Sequence, residues 1–295
     1  MPLIPSGVIP AMVTPFTAED TVNEPALRRL ANYLVEGGVH GVFATGSQGE
    51  FWALAADEKE RVWEVVVEEV RGRVPVYAGT AGVTTRETLA LTRLAEKCKV
   101  DAVSILTPYF ISPSDDQLLD HYRAVAEATN VPIVLYTNPA RTNVKVSAEL
   151  LVRLSKVPHI VGIKDSSGDL ELSAEYMRVA PAPFRVLMGR DTLIFGGLLY
   201  GANGAIAATG NVAPKLVASI YDKFKIGDLE GARQAQADLA PLRMAFGWGT
   251  FPVVIKEALN LMGMDVGPAR APVGPLSTEQ RERLRGVLRG MKLVR

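Results

Sequence analysis

The chain has 295 residues, and its 32 basic and 32 acidic side chains cancel to a formal net charge of zero. Hydrophobic residues make up 48% and charged residues 22%, ordinary globular usage that excludes disorder as the main state. No lysine or arginine block stands out, so the sequence offers no electrostatic footprint for nucleic acid or an anionic membrane.

In chain order, the opening stretch MPLIPSGVIPAMVTPF lacks a basic region and contains helix-breaking prolines, so it does not read as a signal peptide. Short apolar runs rich in Val and Ile predict strands over 7–13, 41–44, 74–78, 102–106, 132–136, 160–163, 185–188 and 205–207. Helical segments alternate with them over 24–36, 56–70, 85–97, 116–128, 147–154, 169–179, 191–200 and 213–224. Ser147 before Ala-Glu-Leu-Leu and Thr85 before Arg-Glu-Thr-Leu read as N-caps. Cys98, the single cysteine, allows no internal disulfide and reads as a small structural residue of a helix. The most apolar late stretch, 193–208, is interrupted by Gly196, Gly197, Gly201, Asn203 and Gly204, and makes a poor membrane span. A cytoplasmic protein is the resulting expectation.

Continuously apolar strands suit a sheet buried on both faces, and repeated strand–helix units imply parallel pairing through right-handed crossovers. Eight such units predict an α/β fold, a (β/α)8 TIM barrel, over residues 1–224. An open doubly wound sheet is the other reading. It wants a glycine-rich phosphate turn after the first strand, where this chain has Val13-Thr-Pro-Phe-Thr. Beyond 224 only helices are predicted, over 229–246, 252–262 and 278–289, with the Pro/Gly-rich connector MDVGPARAPVGP between the last two. Residues 225–295 are therefore expected to form a C-terminal helical extension packed on the barrel.

In such a barrel the reactive residues sit at the C-terminal ends of strands. Lys164 closes an apolar run there, where a desolvated, uncharged amine attacks carbonyls; the plain alternative is a snorkelling lysine. Tyr136 ends the fifth strand and could move protons, or could be an ordinary half-buried aromatic. Arg141, in the loop that follows, suits a carboxylate or a surface ion pair. The turn Gly46-Ser47-Gln48-Gly49 can offer backbone amides and a hydroxyl to an anion, or simply join a strand to a helix. Gly189-Arg-Asp191 and Gly204-Ala-Ile206 occupy the same rim or are turn chemistry. His40, His121 and His159 show no metal-site spacing, and neither a G-x-S-x-G elbow nor a Walker loop occurs.

Taken together and in order, the motifs resemble the dihydrodipicolinate synthase / N-acetylneuraminate lyase family. The resemblance runs over nearly the whole chain, through Val13-Thr-Pro-Phe, Gly46-Ser-Gln-Gly-Glu, Thr107-Pro-Tyr-Phe, Tyr136-Thr-Asn-Pro, Gly162-Ile-Lys-Asp and Gly201-Ala-Asn-Gly-Ala-Ile. It implies a lyase that activates pyruvate as an imine on Lys164 and joins it to an aldehyde. Tyr136 would relay protons with Ser47 bonded to it. Amides of the Gly46–Gln48 turn would hold the pyruvate carboxylate, and Gly189 and the Ile206 carbonyl would contact substrate. The imine is its own electron sink, so neither metal nor organic cofactor is expected. A homotetramer, a dimer of dimers, is implied as well.

Arg141 matches the arginine with which the synthases hold aspartate semialdehyde, which favours 4-hydroxy-tetrahydrodipicolinate synthesis. Two departures stand against it: Gln48 replaces a small hydroxyl residue, and Phe110 stands where the synthases donate a tyrosine across the dimer. A pyruvate aldolase or dehydratase for 2-keto-3-deoxy sugar acids or 4-hydroxy-2-oxoglutarate tolerates both. Sialic acid cleavage fits worse, since Thr192, Ala208 and Arg141 replace its expected residues. A non-catalytic 2-oxo acid binding protein is the reading from another class. Of the family's lysine-feedback positions Glu87 and Tyr109 remain, but Phe51, Trp52, Ala56, Lys59 and Val83 depart, so no feedback is expected.

Overall fold

The computed structural model describes residues 3–295. Eight parallel strands alternate with helices. The first half runs β1 (Gly7–Pro10), α1 (Glu24–Glu36), β2 (Val42–Ala44), α2 (Ala56–Val70), β3 (Val76–Gly79), α3 (Thr85–Lys97), β4 (Ala102–Leu106) and α4 (Asp115–Glu127). The second runs β5 (Ile133–Thr137), α5 (Pro139–Thr142), α6 (Ala148–Leu154), β6 (Ile160–Asp165), α7 (Leu170–Val179), β7 (Arg185–Met188), α8 (Ile194–Tyr200), β8 (Gly204–Ala207) and α9 (Pro214–Lys225). Three long helices follow: α10 (Leu229–Ala245), α11 (Val253–Leu261) and α12 (Thr278–Gly290).

The ladder runs β1-β8-β7-β6-β5-β4-β3-β2. Its ends meet through a parallel bridge from Ala11 to Phe43 and a 2.8 Å bond from the Met12 amide to the Phe43 carbonyl. The sheet thus closes into the predicted TIM barrel. Inside it, Ile9, Phe43, Tyr77, Ala102, Val134, Leu187 and Ile206 pack as one buried cluster, one side chain from each of seven strands. The barrel is filled rather than hollow below its mouth.

Outside, each helix presents one apolar stripe to the sheet. In α1 that stripe is Ala26, Leu27, Leu30, Ala31 and Leu34, and Asn23 caps the helix by accepting from the Ala26 amide at 3.1 Å. Ser147 caps α6 as expected. The cap of α3 is Thr84, not Thr85: its hydroxyl accepts from the Glu87 amide at 3.2 Å, while Thr85 turns to the His121 ring. Adjacent threonines carry the same side chain, and only the backbone path separates them.

Strand β1 leaves its ladder at Pro10, short of residue 13, because Val13 bonds instead to the Asn211 side chain. The one-turn helix α5 escapes the periodicity search, being too short to show a period. Leu239, Leu242, Val254 and Leu284 of the last three helices share one buried cluster with the barrel helices. Among the described residues, no helix is long and apolar enough to cross a membrane.

Candidate active site

Lys164 on β6 and Tyr136 on β5 are register partners, so both side chains turn to the same side of the sheet, inward at its C-terminal end. Each is 4% exposed. The Lys164 Nζ lies 4.0 Å from the centre of the Tyr136 ring and 5.4 Å from that of Phe43. It lines a cavity of about 340 Å³ at the barrel mouth, together with Ser47, Gln48, Gly189 and Ile206. The snorkelling alternative is thereby excluded, since the amine ends among aromatic faces and not in bulk water.

The Tyr136 hydroxyl sits 3.3 Å from Ser47 Oγ and accepts from Asn138 Nδ2 at 3.1 Å. Burial raises this phenol, but the Lys164 charge and bonds from Ser47, Asn138 and Ser166 outweigh it and hold the group below the ordinary tyrosine range. A phenol so placed gives up its proton more readily than one in water.

Ser47 stands on a constrained turn. Thr45 adopts a left-handed backbone (φ 52°), and its hydroxyl accepts from Trp63 Nε1 at 2.7 Å. Gly46 packs under Phe43, where a β-carbon would come within 2.6 Å of the ring. Among the described residues, the Ser47 and Gln48 amides find no acceptor in the chain. Two free amides beside a lysine form a cradle for a carboxylate. Gln48 Oε1 is buried there without a partner.

A model of the dihydrodipicolinate synthetase family matches residues 4–290. The chain is 40% identical to 4-hydroxy-tetrahydrodipicolinate synthase of Methanopyrus kandleri over 290 residues, 98% of this chain and 97% of the relative.

The chain belongs to the dihydrodipicolinate synthetase family.

Solved members superpose closely. Dihydrodipicolinate synthase from Thermotoga maritima gives a TM-score of 0.96 at 33% identity, covering 99% of this chain and all of its own. The chloride-inhibited enzyme of Acinetobacter baumannii, crystallised with pyruvate, gives 0.95 at 32%, covering 98% and 99%. This family member is a lyase of the class I aldolase type by that kinship.

Within this family member, Arg141 on α5 rests its guanidinium over the Phe251 ring, 4.2 Å from the centre, rather than on a carboxylate. Phe251 lies between α10 and α11, and Arg243 and Phe246 from the same extension also line the cavity. None of the three was singled out in the sequence, where nothing links them to the barrel mouth. Gly189 donates to the Asp165 carbonyl at 2.6 Å, and a β-carbon on it would collide with Ser166 Oγ. Asp191 is a brace: its carboxylate accepts from the Thr209 amide at 2.6 Å and from the Ala208 amide at 3.3 Å.

Asn138 and Ser166 were also missed. A signal existed, because each lies two residues past Tyr136 or Lys164, and a period of two keeps side chains on one face of a strand. Phe110 is 98% exposed with a left-handed backbone (φ 72°), so within its own chain it supplies nothing to the cavity. Among the described residues, one group, Glu60, Glu64 and Cys98, brings possible metal-ligand atoms within 4.8 Å of one another. It sits on α2 and the end of α3, away from the cavity, where burial and then the two carboxylates push the thiol up to about 11.

Proposed function

We propose that the chain is a 4-hydroxy-tetrahydrodipicolinate synthase, joining pyruvate to aspartate semialdehyde through an imine on Lys164. The observation that carries this is the buried Lys164 amine beside a Tyr136 phenol held by Ser47, with two free amides and an arginine at the same mouth. The name of the Methanopyrus kandleri relative and the pyruvate in the Acinetobacter baumannii enzyme support it.

The chemistry then runs as follows. The Lys164 amine attacks the keto carbon of pyruvate while the Ser47 and Gln48 amides hold its carboxylate. The carbinolamine oxygen takes up protons through Tyr136 and leaves as water, giving an iminium. The iminium draws electrons from the methyl group, whose proton passes back to the Tyr136 phenolate, and an enamine forms. Its methylene carbon bonds to the aldehyde carbon, and the new alkoxide takes a proton from the phenol. The amine of aspartate semialdehyde can then displace Lys164 from the former keto carbon, closing the ring. Arg141 would meet the aldehyde's carboxylate by two parallel hydrogen bonds. The imine supplies the electron sink, so the reading asks for no metal or organic cofactor. It extends to a cytoplasmic homotetramer, a dimer of dimers, for which the neighbouring exposed Phe110 and Ile111 supply apolar contact surface.

The test is borohydride trapping with pyruvate followed by mass spectrometry, then pyruvate consumption with aspartate semialdehyde, glyceraldehyde, glyoxylate and N-acetylmannosamine. The expected result is an adduct on Lys164 and turnover with aspartate semialdehyde. An adduct with turnover only on sugar-type aldehydes would make the chain a different pyruvate aldolase of the family. No adduct would leave a 2-oxo acid binding protein.

A further inference from the structure

A second lysine is buried more deeply than the first. Lys256 of α11 is 1% exposed, and its Nζ lies 2.5 Å from Oε1 of Glu50, which is itself fully buried. Each member of the pair has one further polar partner. Lys256 donates to the Pro268 carbonyl at 2.7 Å and lies 4.1 Å from the centre of the Phe16 ring. The other Glu50 oxygen accepts from the Arg270 amide at 2.8 Å.

Glu50 is the last residue of the turn that carries Ser47 and Gln48, and it holds a left-handed backbone (φ 56°). Its amide donates to the Ser47 carbonyl at 3.3 Å, and its carbonyl accepts from Ala53 at 2.8 Å. Arg270 grips the same segment by donating to the Ala53 carbonyl at 2.6 Å and pairing with Glu58 at 2.5 Å. The turn is thus tied from beneath by residues of the C-terminal extension.

Desolvating both charges is costly, and attraction inside the protein offsets this only in part. Well-packed apolar residues often replace such a pair with no loss of stability. What an apolar pair cannot give is one fixed position for the end of the turn. We propose that Lys256 is a positioning residue for pyruvate: through Glu50 it fixes the Gly46–Glu50 turn and so aims the Ser47 and Gln48 amides. The inference rests on the reading of this site as a pyruvate imine centre.

Two measurements keep it separable from that reading. Lys256→Met leaves Glu50 buried and unpaired, which destabilises the fold. The double variant Glu50→Gln/Lys256→Met removes both charges and should recover the parent's melting temperature. In the double variant the half-saturating pyruvate concentration for borohydride trapping should rise about 10- to 100-fold. Hydrogen exchange of peptides covering 45–53 should quicken while that of β6 stays unchanged. Faster exchange confined to the turn supports the positioning role even if the parent chain forms no adduct, the result that defeats only the imine reading. A double variant with parental melting, exchange and pyruvate saturation makes Lys256 a structural pair alone and overturns the proposal.

Discussion

The Lys164 nitrogen lies over the face of the Tyr136 ring, 4.0 Å from its centre, because the two residues are register partners on neighbouring strands. Strand pairing itself sets this distance, so truncating the lysine should remove chemistry without removing structure. Lys164→Ala borders an existing cavity and opens no new hole in the core. It should lose pyruvate trapping and turnover and keep the parental circular dichroism and melting temperature. Residual adduct formation at the parental rate would point to another amine.

Tyr136→Phe removes the proton carrier and should slow turnover about 10²–10⁴-fold. Asn138→Leu keeps the phenol but removes a donor that favours its ionised form. The phenol should then rise, and the limb of the kcat/KM profile set by it should move to higher pH. An unmoved limb would take Asn138 out of the relay.

Arg141→Ala should raise KM for an acidic aldehyde and leave pyruvate saturation nearly unchanged, the signature of lost uniform binding on one substrate. Phe251→Ala should act in the same direction and more weakly, because its ring supports the guanidinium. Parental kinetics in both variants would place the aldehyde carboxylate elsewhere.

His121 is 7% exposed, with Nδ1 at 2.9 Å from Thr85 Oγ1 and Nε2 buried without a partner. Burial pushes the ring down to about 4 from its ordinary 6.5. The unfolded chain therefore takes up this proton first. Stability is fully present above 6.5, falls as the pH drops below it, and is lost through 4, by roughly 3 kcal/mol for this group. Urea melts at pH 7 and pH 4 should show a smaller acid loss in His121→Phe than in the parent. Equal losses would contradict the assignment.

Free lysine should not inhibit at millimolar concentration. Lys59 is buried beside Glu87: burial lowers its amine, and the Glu87 carboxylate pulls it back up. Glu87 also accepts from the Val83 amide at 3.1 Å. An incoming ammonium would meet the Lys59 charge close to that carboxylate and be repelled. A clear dose response to lysine would refute this.

The barrel was legible because its units repeat. Val/Ile runs and capped amphipathic helices each declare themselves within a dozen residues, and α1, α2, α3, β4 and β7 fall on their predicted bounds. Lys164 and Tyr136 were legible as polar residues closing apolar strands. The pairing of Arg141 with Phe251 and of Glu50 with Lys256 was not. No local pattern marks contacts that form only when the extension folds back onto the barrel. The same limit hid Arg243 and Phe246. Gln48 was legible as a departure, but its unpartnered oxygen is a matter of surroundings.

The ring beneath Arg141 has a consequence in time. A ribosome delivers residue 164 well before residue 251, so a nascent chain can finish its sheet while the wall of its reaction chamber is still being made. Competence for the second substrate must then wait for the final helices, long after the strand that carries Lys164 has been made.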